Sequence, residues 1–376
     1  MKNNGNFLKF NKDGKFKILQ LTDIHGIYKK APDTIRLIEK ALDSEKPDLI
    51  VFTGDQIKGY GLSFLTGDKN VKVRQAIDNF LKPVSDRNIP FVATYGNHDP
   101  QVGLSFDEQL AIYKEYNGCI TADSEYTYDA STFSVPVMTS DGSDTALQLY
   151  LIYSGTSSSD GYEPVAPERV EWYRTVRDKL FEKHGRYIPS FVFQHIPVRE
   201  TYELFDEVSK KHPDAIKAFR THKGKYYKLK DQYSDGKIKL YEPPAVSDIN
   251  TGEFDALTEK GDVVALFFGH DHQNNFYGNV RGVDLGYSPA CGFGEYGNGV
   301  ERGVRVFEFD EKDVRNYKTR IVTYRDYFGK KVIKPLNNLF LKIIPASKDA
   351  AIPFAMKCVG ILLAVIAVIV AICKLF

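Results

Sequence analysis

Short apolar runs that each end on a histidine- or aspartate-bearing cluster constrain this chain more than any other feature. Ile18-Leu19-Gln20-Leu21 precedes Asp23-Ile24-His25, and Leu49-Ile50-Val51-Phe52 precedes Gly54-Asp55. Phe191-Val192-Phe193-Gln194 precedes His195, and Val263 to Phe268 precedes Gly269-His270-Asp271-His272. A further cluster, Gly96-Asn97-His98-Asp99, lies between the second and third of these. Runs that short and that apolar read as strands buried on both faces, and they deliver their polar successors to one sheet edge. His, Asp and Asn together are hard-to-borderline ligands, suited to Fe, Mn or Zn and poor for a soft thiolate metal.

Asp23, His25, Asp55, Asn97, His195, His270 and His272 offer more ligands than one tetrahedral or octahedral ion takes from protein. Two ions sharing a carboxylate account for them economically. Ions ~3.5–4 Å apart can bind a phosphoryl oxygen, acidify a bridging water and stabilise an in-line displacement. Each piece alone says little, since a Gly-Asp is usually a turn and a lone His usually structural. Their joint occurrence in order carries the reading.

The motifs D-x-H, G-D, G-N-H-D, a single H and G-H-x-H resemble those of the calcineurin-like metallophosphoesterase superfamily, over roughly Phe16 to Asp310. The resemblance implies an α/β fold of two sheets in a sandwich flanked by helices, with ligands at the carboxyl ends of strands. It implies two divalent or mixed-valence ions (Mn, Fe or Zn). Asp23, His25, Asp55 and His272 resemble the ligands of the first, with Asp55 as the bridge, and Asn97, His195 and His270 the remaining ligands of the second. His98 resembles the family's catalytic histidine, with Asp99 expected to orient its other ring nitrogen. Lys15 to Gln20, Gly269 to Phe276 and Cys291-Gly292-Phe293-Gly294 are similar to a narrower, purple-acid-phosphatase-like branch. Two departures matter there: Lys58 stands where the purple enzymes carry tyrosine three residues after the bridging Asp, and His25 is present where they lack a histidine. The pair is therefore expected to lack the tyrosinate colour.

The alternation predicts strands near Phe16–Leu21, Leu49–Phe52, Phe91–Thr94, Ala146–Tyr153, Ser190–Phe193 and Val263–Phe268. It predicts helices near Pro32–Ser44, Val71–Ser85, Ser105–Tyr116 and Pro167–His184, with Asp33 and Asp107 near helix starts. Asn279–Leu285 and Val304–Asp310 suggest a second, more antiparallel sheet. The loop Gly155–Gly161 and the charged stretch Arg199–Lys260 read as insertions bordering the site. Cys119, Cys291, Cys358 and Cys373 are scattered, which argues against a disulfide framework or a thiolate metal site.

The expected organisation is a phosphoesterase domain over 1–327, a basic juxtamembrane linker over 328–350 and a membrane anchor over 351–376. From Cys358 to Cys373 no side chain is polar beyond cysteine; extended back to Pro353 the stretch is roughly 31 Å of helix, enough to span the ~30 Å hydrocarbon core. Met1–Phe16 has no apolar stretch and does not read as a secretory signal. Lys330, Lys331, Lys334, Lys342 and Lys348 precede the span while only Lys374 follows it, so the catalytic domain is expected on the cytoplasmic side. Leu336 to Ile344 is expected along the interface, with Leu339, Phe340, Ile343 and Ile344 toward lipid.

The leading functional expectation is metal-dependent hydrolysis of phosphate esters, of monoesters foremost, by a metal-bridging hydroxide. A diesterase acting on nucleotides or lipid headgroups is the alternative, because both classes share these ligands. A non-catalytic membrane-tethered scaffold is the alternative from another class. A formal net charge of +1 and the lack of a long basic stripe argue against nucleic acid as a partner, and no obligate protein partner is evident. Gly292-Phe293-Gly294-Glu295-Tyr296-Gly297 spells G-x-G-x-x-G, but no helix follows it; it reads as a wall of the site or a turn. His184, His212 and His222 read as surface histidines.

Overall fold

The computed structural model describes residues 8–158, 161–345 and 348–373. In chain order the first strands are β1 (Lys15–Leu21), β2 (Leu49–Thr53), β3 (Phe91–Thr94), β4 (Thr127–Asp129), β5 (Thr132–Met138), β6 (Thr145–Leu151) and β7 (Ser190–Phe193). β8 (Phe205–Glu207), β9 (Ile216–Lys217) and β10 (Tyr226–Leu229) make a small sheet of their own. β11 (Val263–Phe268), β12 (Tyr277–Val280), β13 (Val283–Tyr287), β14 (Gly303–Asp310) and β15 (Lys318–Thr323) complete the set. The helices are α1 (Pro32–Glu45), α2 (Lys69–Ser85), α3 (Phe106–Tyr113), α4 (Pro167–His184), α5 (Glu253–Thr258), α6 (Tyr324–Phe328), α7 (Pro335–Ile343) and α8 (Lys348–Cys373).

One sheet runs β15-β14-β1-β2-β3, the other β12-β13-β11-β7-β6-β5-β4. The parallel pairs β1·β2, β6·β7 and β7·β11 lie at the centres and β3 adds parallel to β2 at one edge, all covered on both sides, which is why those strands are apolar on both faces. Between the sheets Phe191, Phe193, Phe267, Phe307 and Phe309 interleave edge to face with one another and with Tyr317. α1 and α2 cover the outer face of the first sheet, and α4 and α5 that of the second. The two-sheet sandwich expected from the sequence is the fold observed.

The second antiparallel sheet is a correction. Asn279–Leu285 is two strands of a hairpin turning at Arg281-Gly282, and β13 lies parallel to β11. β14 instead pairs antiparallel with β1, Lys15 opposite Asp310. Alternation told that these are strands but not which sheet receives them, because pairing between segments this distant has no local signal. β5 was not expected, since Pro136 interrupts its apolar run. Pro136 lies beyond the end of β4, where no neighbouring strand asks for its missing N–H.

The stretch after residue 328 is docked, not free. The Asp33 carboxylate accepts from Tyr324 Oη at 2.7 Å, Ile333 N at 2.8 Å and Lys334 N at 3.0 Å, and so ties the start of α1 to the entry of α7. Lys374 and the N-terminal residues 1–7 lie outside the described residues.

Beside the second sheet, the Oε1 of Glu253 is shielded from water without a hydrogen-bond partner. Burial and the neighbouring Glu200 push its carboxyl from the ordinary 4.5 up to about 8, against a contact from Gln194. A folded-state pKa raised in an acid favours the protonated, folded form, so stability falls as pH climbs from 4.5 to about 8. Relative to wild type, Glu253→Gln gains up to about 1.4 kcal/mol per pH unit over that window. Chemical denaturation at several pH values checks this: the two proteins converge near pH 4.5 and separate most above pH 8. A constant difference across the window would contradict it.

Candidate metal centre

Three of the five ligand-bearing loops, those after β1, β2 and β11, leave their strands by the same device. Asp23, His25, Asp55 and His270 all have positive φ (51°, 47°, 51° and 73°), a conformation non-glycine residues adopt rarely and mostly where function demands it. It turns the side chains of β1, β2 and β11 back over the sheet edge. Backbone bonds lock the loops together: Asp23 N donates to Gly54 O, and His25 N to Asp55 O. Gly96 is required by contact, because a Cβ there would collide with the Asp55 carboxylate.

The structure brings all five clusters to one place. Asp23, His25 and His272 form one group that could hold an ion, and Asp55, His195 and His270 a second. His25 Nε2 lies 3.0 Å from His272 Nε2, and Asp23 Oδ1 is 3.4 Å from His272 Nε2 and 3.7 Å from His25 Nε2. Donors bound ~2.1 Å from one ion lie about 3 Å apart at right angles, so these separations fit shared coordination. In the second group His195 Nε2 is 3.2 Å from Asp55 Oδ2 and 3.3 Å from His270 Nδ1. Asp55 Oδ2 is also 3.8 Å from His25 Nε2, placing this carboxylate between the groups.

The free valences point the same way. Asp23 Oδ1 and Asn97 Oδ1 are buried with no hydrogen-bond partner, an unfavourable state for polar atoms unless something cationic or protic satisfies them. His195 Nδ1 meets Thr53 O at 2.9 Å and His272 Nδ1 meets Tyr296 O at 2.9 Å. Carbonyls accept only, so both rings carry a proton on Nδ1 and turn Nε2 inward as the nitrogen open to a metal. The residues present therefore fit a pair of metal ions. Electrostatics agrees: burial opposes charge on Asp55, yet His195 and His98 hold it well below the usual carboxylate range. Burial would likewise depress His195, but Asp55 and Asp23 outweigh it and push the ring up to about 9, so proton and metal compete for this nitrogen.

His98 sits at the open rim, its Nε2 3.9 Å from Asp55 Oδ2. The expectation for Asp99 is corrected here. Its carboxylate accepts from Asp55 N, Ile57 N and Gly96 N at 2.8, 2.9 and 2.7 Å, clasping the loops after β2 and β3. The ring partner of His98 is Gln101, whose Oε1 is 2.9 Å from Nδ1. One helical turn past His98 the side chain comes back to the ring, so Asp99, the next residue, points into the loop instead.

Several site residues carried no sequence signal. Tyr60 packs on the His98 ring at 4.3 Å, and Tyr162 meets His270 edge-on at 4.5 Å. Tyr296 stacks on His272 and donates to Glu242, which also accepts from Gln273 N. Glu242 belongs to the charged stretch expected to border the site, and it does. Lys58 pairs with Glu295 at the site wall. The G-x-G-x-x-G segment is that wall: Gly292 N donates to Asp23 O, and a Cβ at Gly292 would strike the Ile24 carbonyl. Of the surface histidines, His184 meets Asp144 and His222 stacks on Tyr202, both away from the centre.

Sheets, loops and paired ligand groups together define a dimetal phosphoesterase fold. The chain belongs to the calcineurin-like phosphoesterase family, whose model matches residues 16–274. It is 29% identical over 340 residues to "Probable inactive purple acid phosphatase 14" of Arabidopsis thaliana, spanning 80% of this chain and 77% of that one. It is 26% identical over 344 residues to "Phosphatase DCR2" of Saccharomyces cerevisiae, spanning 81% and 54%. A solved dimetal phosphatase from Danio rerio aligns with a TM-score of 0.49 and 12% identity, over 82% of this chain and 99% of that one.

Proposed function

We propose that the protein hydrolyses phosphate monoesters with two divalent ions, Mn, Fe or Zn, one held by Asp23, His25, Asp55 and His272 and one by Asp55, Asn97, His195 and His270. The observation that carries this reading is the convergence of buried ligand residues from five separate loops on one centre, with Asp23 Oδ1 and Asn97 Oδ1 left without a hydrogen-bond partner. Two such ions supply the charge that binds phosphoryl oxygens and acidifies the attacking water. The chain's own residues do the rest. Asp55 offers negative charge to both groups, while Asp99 fixes the backbone from which Asp55 and Asn97 project. Gln101 Oε1 accepts from His98 Nδ1–H and leaves Nε2 toward the cleft; a proton taken up at Nε2 gives the imidazolium, which can pass that proton to the leaving oxygen and return to the Nδ1–H form.

The word "inactive" in the name of the Arabidopsis relative favours a second reading, a scaffold without turnover. Against it, all seven ligand positions and His98 are filled here by competent side chains. Release of nitrophenolate from its phosphate monoester, with the diester in parallel, tests both readings on Mn²⁺-loaded protein. Monoester turnover abolished by chelator is the expected result; no turnover of either ester supports the scaffold.

The membrane anchor belongs to the same proposal. Ile352–Val370 is long and apolar enough to cross a bilayer, and its window is wholly unburied. Lys330, Lys331, Lys334 and Lys342 stand before it, which favours the cytoplasmic side for the catalytic domain. A chain ended near Lys348 is expected in the soluble fraction and the full chain in the membrane fraction. Equal solubility without detergent would contradict the anchor, and digestion by protease outside intact cells would contradict the orientation.

A further inference from the structure

A cavity of about 300 Å³ opens beside the metal centre, with His25 at its buried end and Phe80 and Phe293 on its floor. Its exposed rim carries Lys29, Lys30 and Lys334. No salt bridge among the described residues engages these three lysines, while Lys58, deeper in, is neutralised by Glu295. The one carboxylate in the lining, Asp33, is engaged by Tyr324 Oη, Ile333 N and Lys334 N, so an apolar floor under a rim of three lysines suits an amphiphile with an anionic group, and fits a free sugar phosphate less well.

The rim also belongs to the element that precedes the membrane span. Lys334 is fixed by its backbone bond to Asp33, and Asn337 reaches the Phe293 carbonyl at 3.4 Å, so α7 forms one wall of the cavity. On α7, Leu341 packs toward the domain, while Leu336, Leu339, Phe340 and Ile343 are 82, 59, 56 and 54% exposed. A helix that hides one leucine and exposes four large apolar side chains, with Lys342 alongside, has the make-up of an interfacial helix. α8 follows within a few residues, which makes the bilayer surface the occupant of that face.

From this juxtaposition we infer the substrate class: a membrane lipid whose headgroup carries a terminal phosphomonoester and an inner phosphodiester. The terminal phosphate enters the metal cleft, the inner phosphate is held by Lys29, Lys30 and Lys334, and the glycerol end leaves along α7 toward the bilayer. This rests on the hydrolase reading above and narrows it.

The test uses the full chain, Mn²⁺-loaded and reconstituted in phosphatidylcholine vesicles. Nitrophenyl phosphate and phosphatidylinositol monophosphate serve as the two probes. In Lys29→Gln/Lys30→Gln/Lys334→Gln, the ratio of kcat/KM for the lipid to that for the aryl ester is expected to fall at least about tenfold, from the loss of three lysine–phosphate attractions. An unchanged or increased ratio overturns the inference, as does wild-type turnover of the aryl ester without turnover of the lipid. Retention of labelled phosphatidylinositol monophosphate by the detergent-solubilised chain gives a readout independent of turnover. Wild type retains it and the triple variant does not; equal retention overturns the inference even if the protein proves inactive. Turnover of neither the aryl ester nor the lipid, with retention as expected, overturns the hydrolase reading and leaves a lipid-binding site.

Discussion

Asp55→Asn is expected to leave the fold in place, to lose at least one metal and to cut hydrolysis by more than about 100-fold, the upper cost of removing a merely supporting partner. Asparagine fills the same volume and tolerates the positive φ of this position, so the backbone has no reason to rearrange. What changes is charge. Asp55 Oδ2 stands 3.2 Å from His195 Nε2 in one group and 3.8 Å from His25 Nε2 in the other, and a neutral amide there cannot offset repulsion between two cations ~3.5–4 Å apart. Elemental analysis of the purified variant checks the point. Two metals per chain with lost activity would assign Asp55 to catalysis, not bridging.

The second large effect falls on His98. His98→Ala is expected to keep both metals and lower turnover by roughly 10²–10⁴-fold, the range for loss of a general acid. No atom of His98 belongs to either donor group, and its ring lies at the open rim with Tyr60 against it. A nitrophenolate leaving group needs little protonation, so the loss should be smaller there than with an alkyl phosphate. Equal losses would leave His98 as a group that positions phosphate. Gln101→Leu separates the roles further: it removes the acceptor that fixes the ring proton on Nδ1, and is expected to cost less than His98→Ala while altering the pH profile.

Much of this was readable before the fold was known, and the reasons are local. α4 begins at Pro167 and stops at Gly185 in the left-handed conformation, the start and stop marks by which Pro167–His184 is read from sequence. β2 and β11 are buried at every position, so their apolar runs carry no ambiguity about what covers them. Four of the five ligand clusters were legible because they follow apolar runs, and Asn97 because its G-N-H-D motif falls in order between them. What escaped is non-local. The pairing of β14 with β1 and the stacking of Tyr296 on His272 depend on segments meeting in space. The family resemblance implies that Asp99 orients its neighbour's ring, yet three backbone amides from two loops claim its carboxylate. Glu242 likewise is a surface charge by composition and a buried partner of Tyr296 by geometry.

The dinuclear centre is best tested by anomalous scattering from crystals of the Mn²⁺-loaded catalytic domain. The account predicts two peaks ~3.5–4 Å apart. One should lie amid Asp23, His25 and His272, the other amid Asn97, His195 and His270, with the Asp55 carboxylate touching both. A single peak, or two peaks of which Asp55 contacts only one, would contradict it.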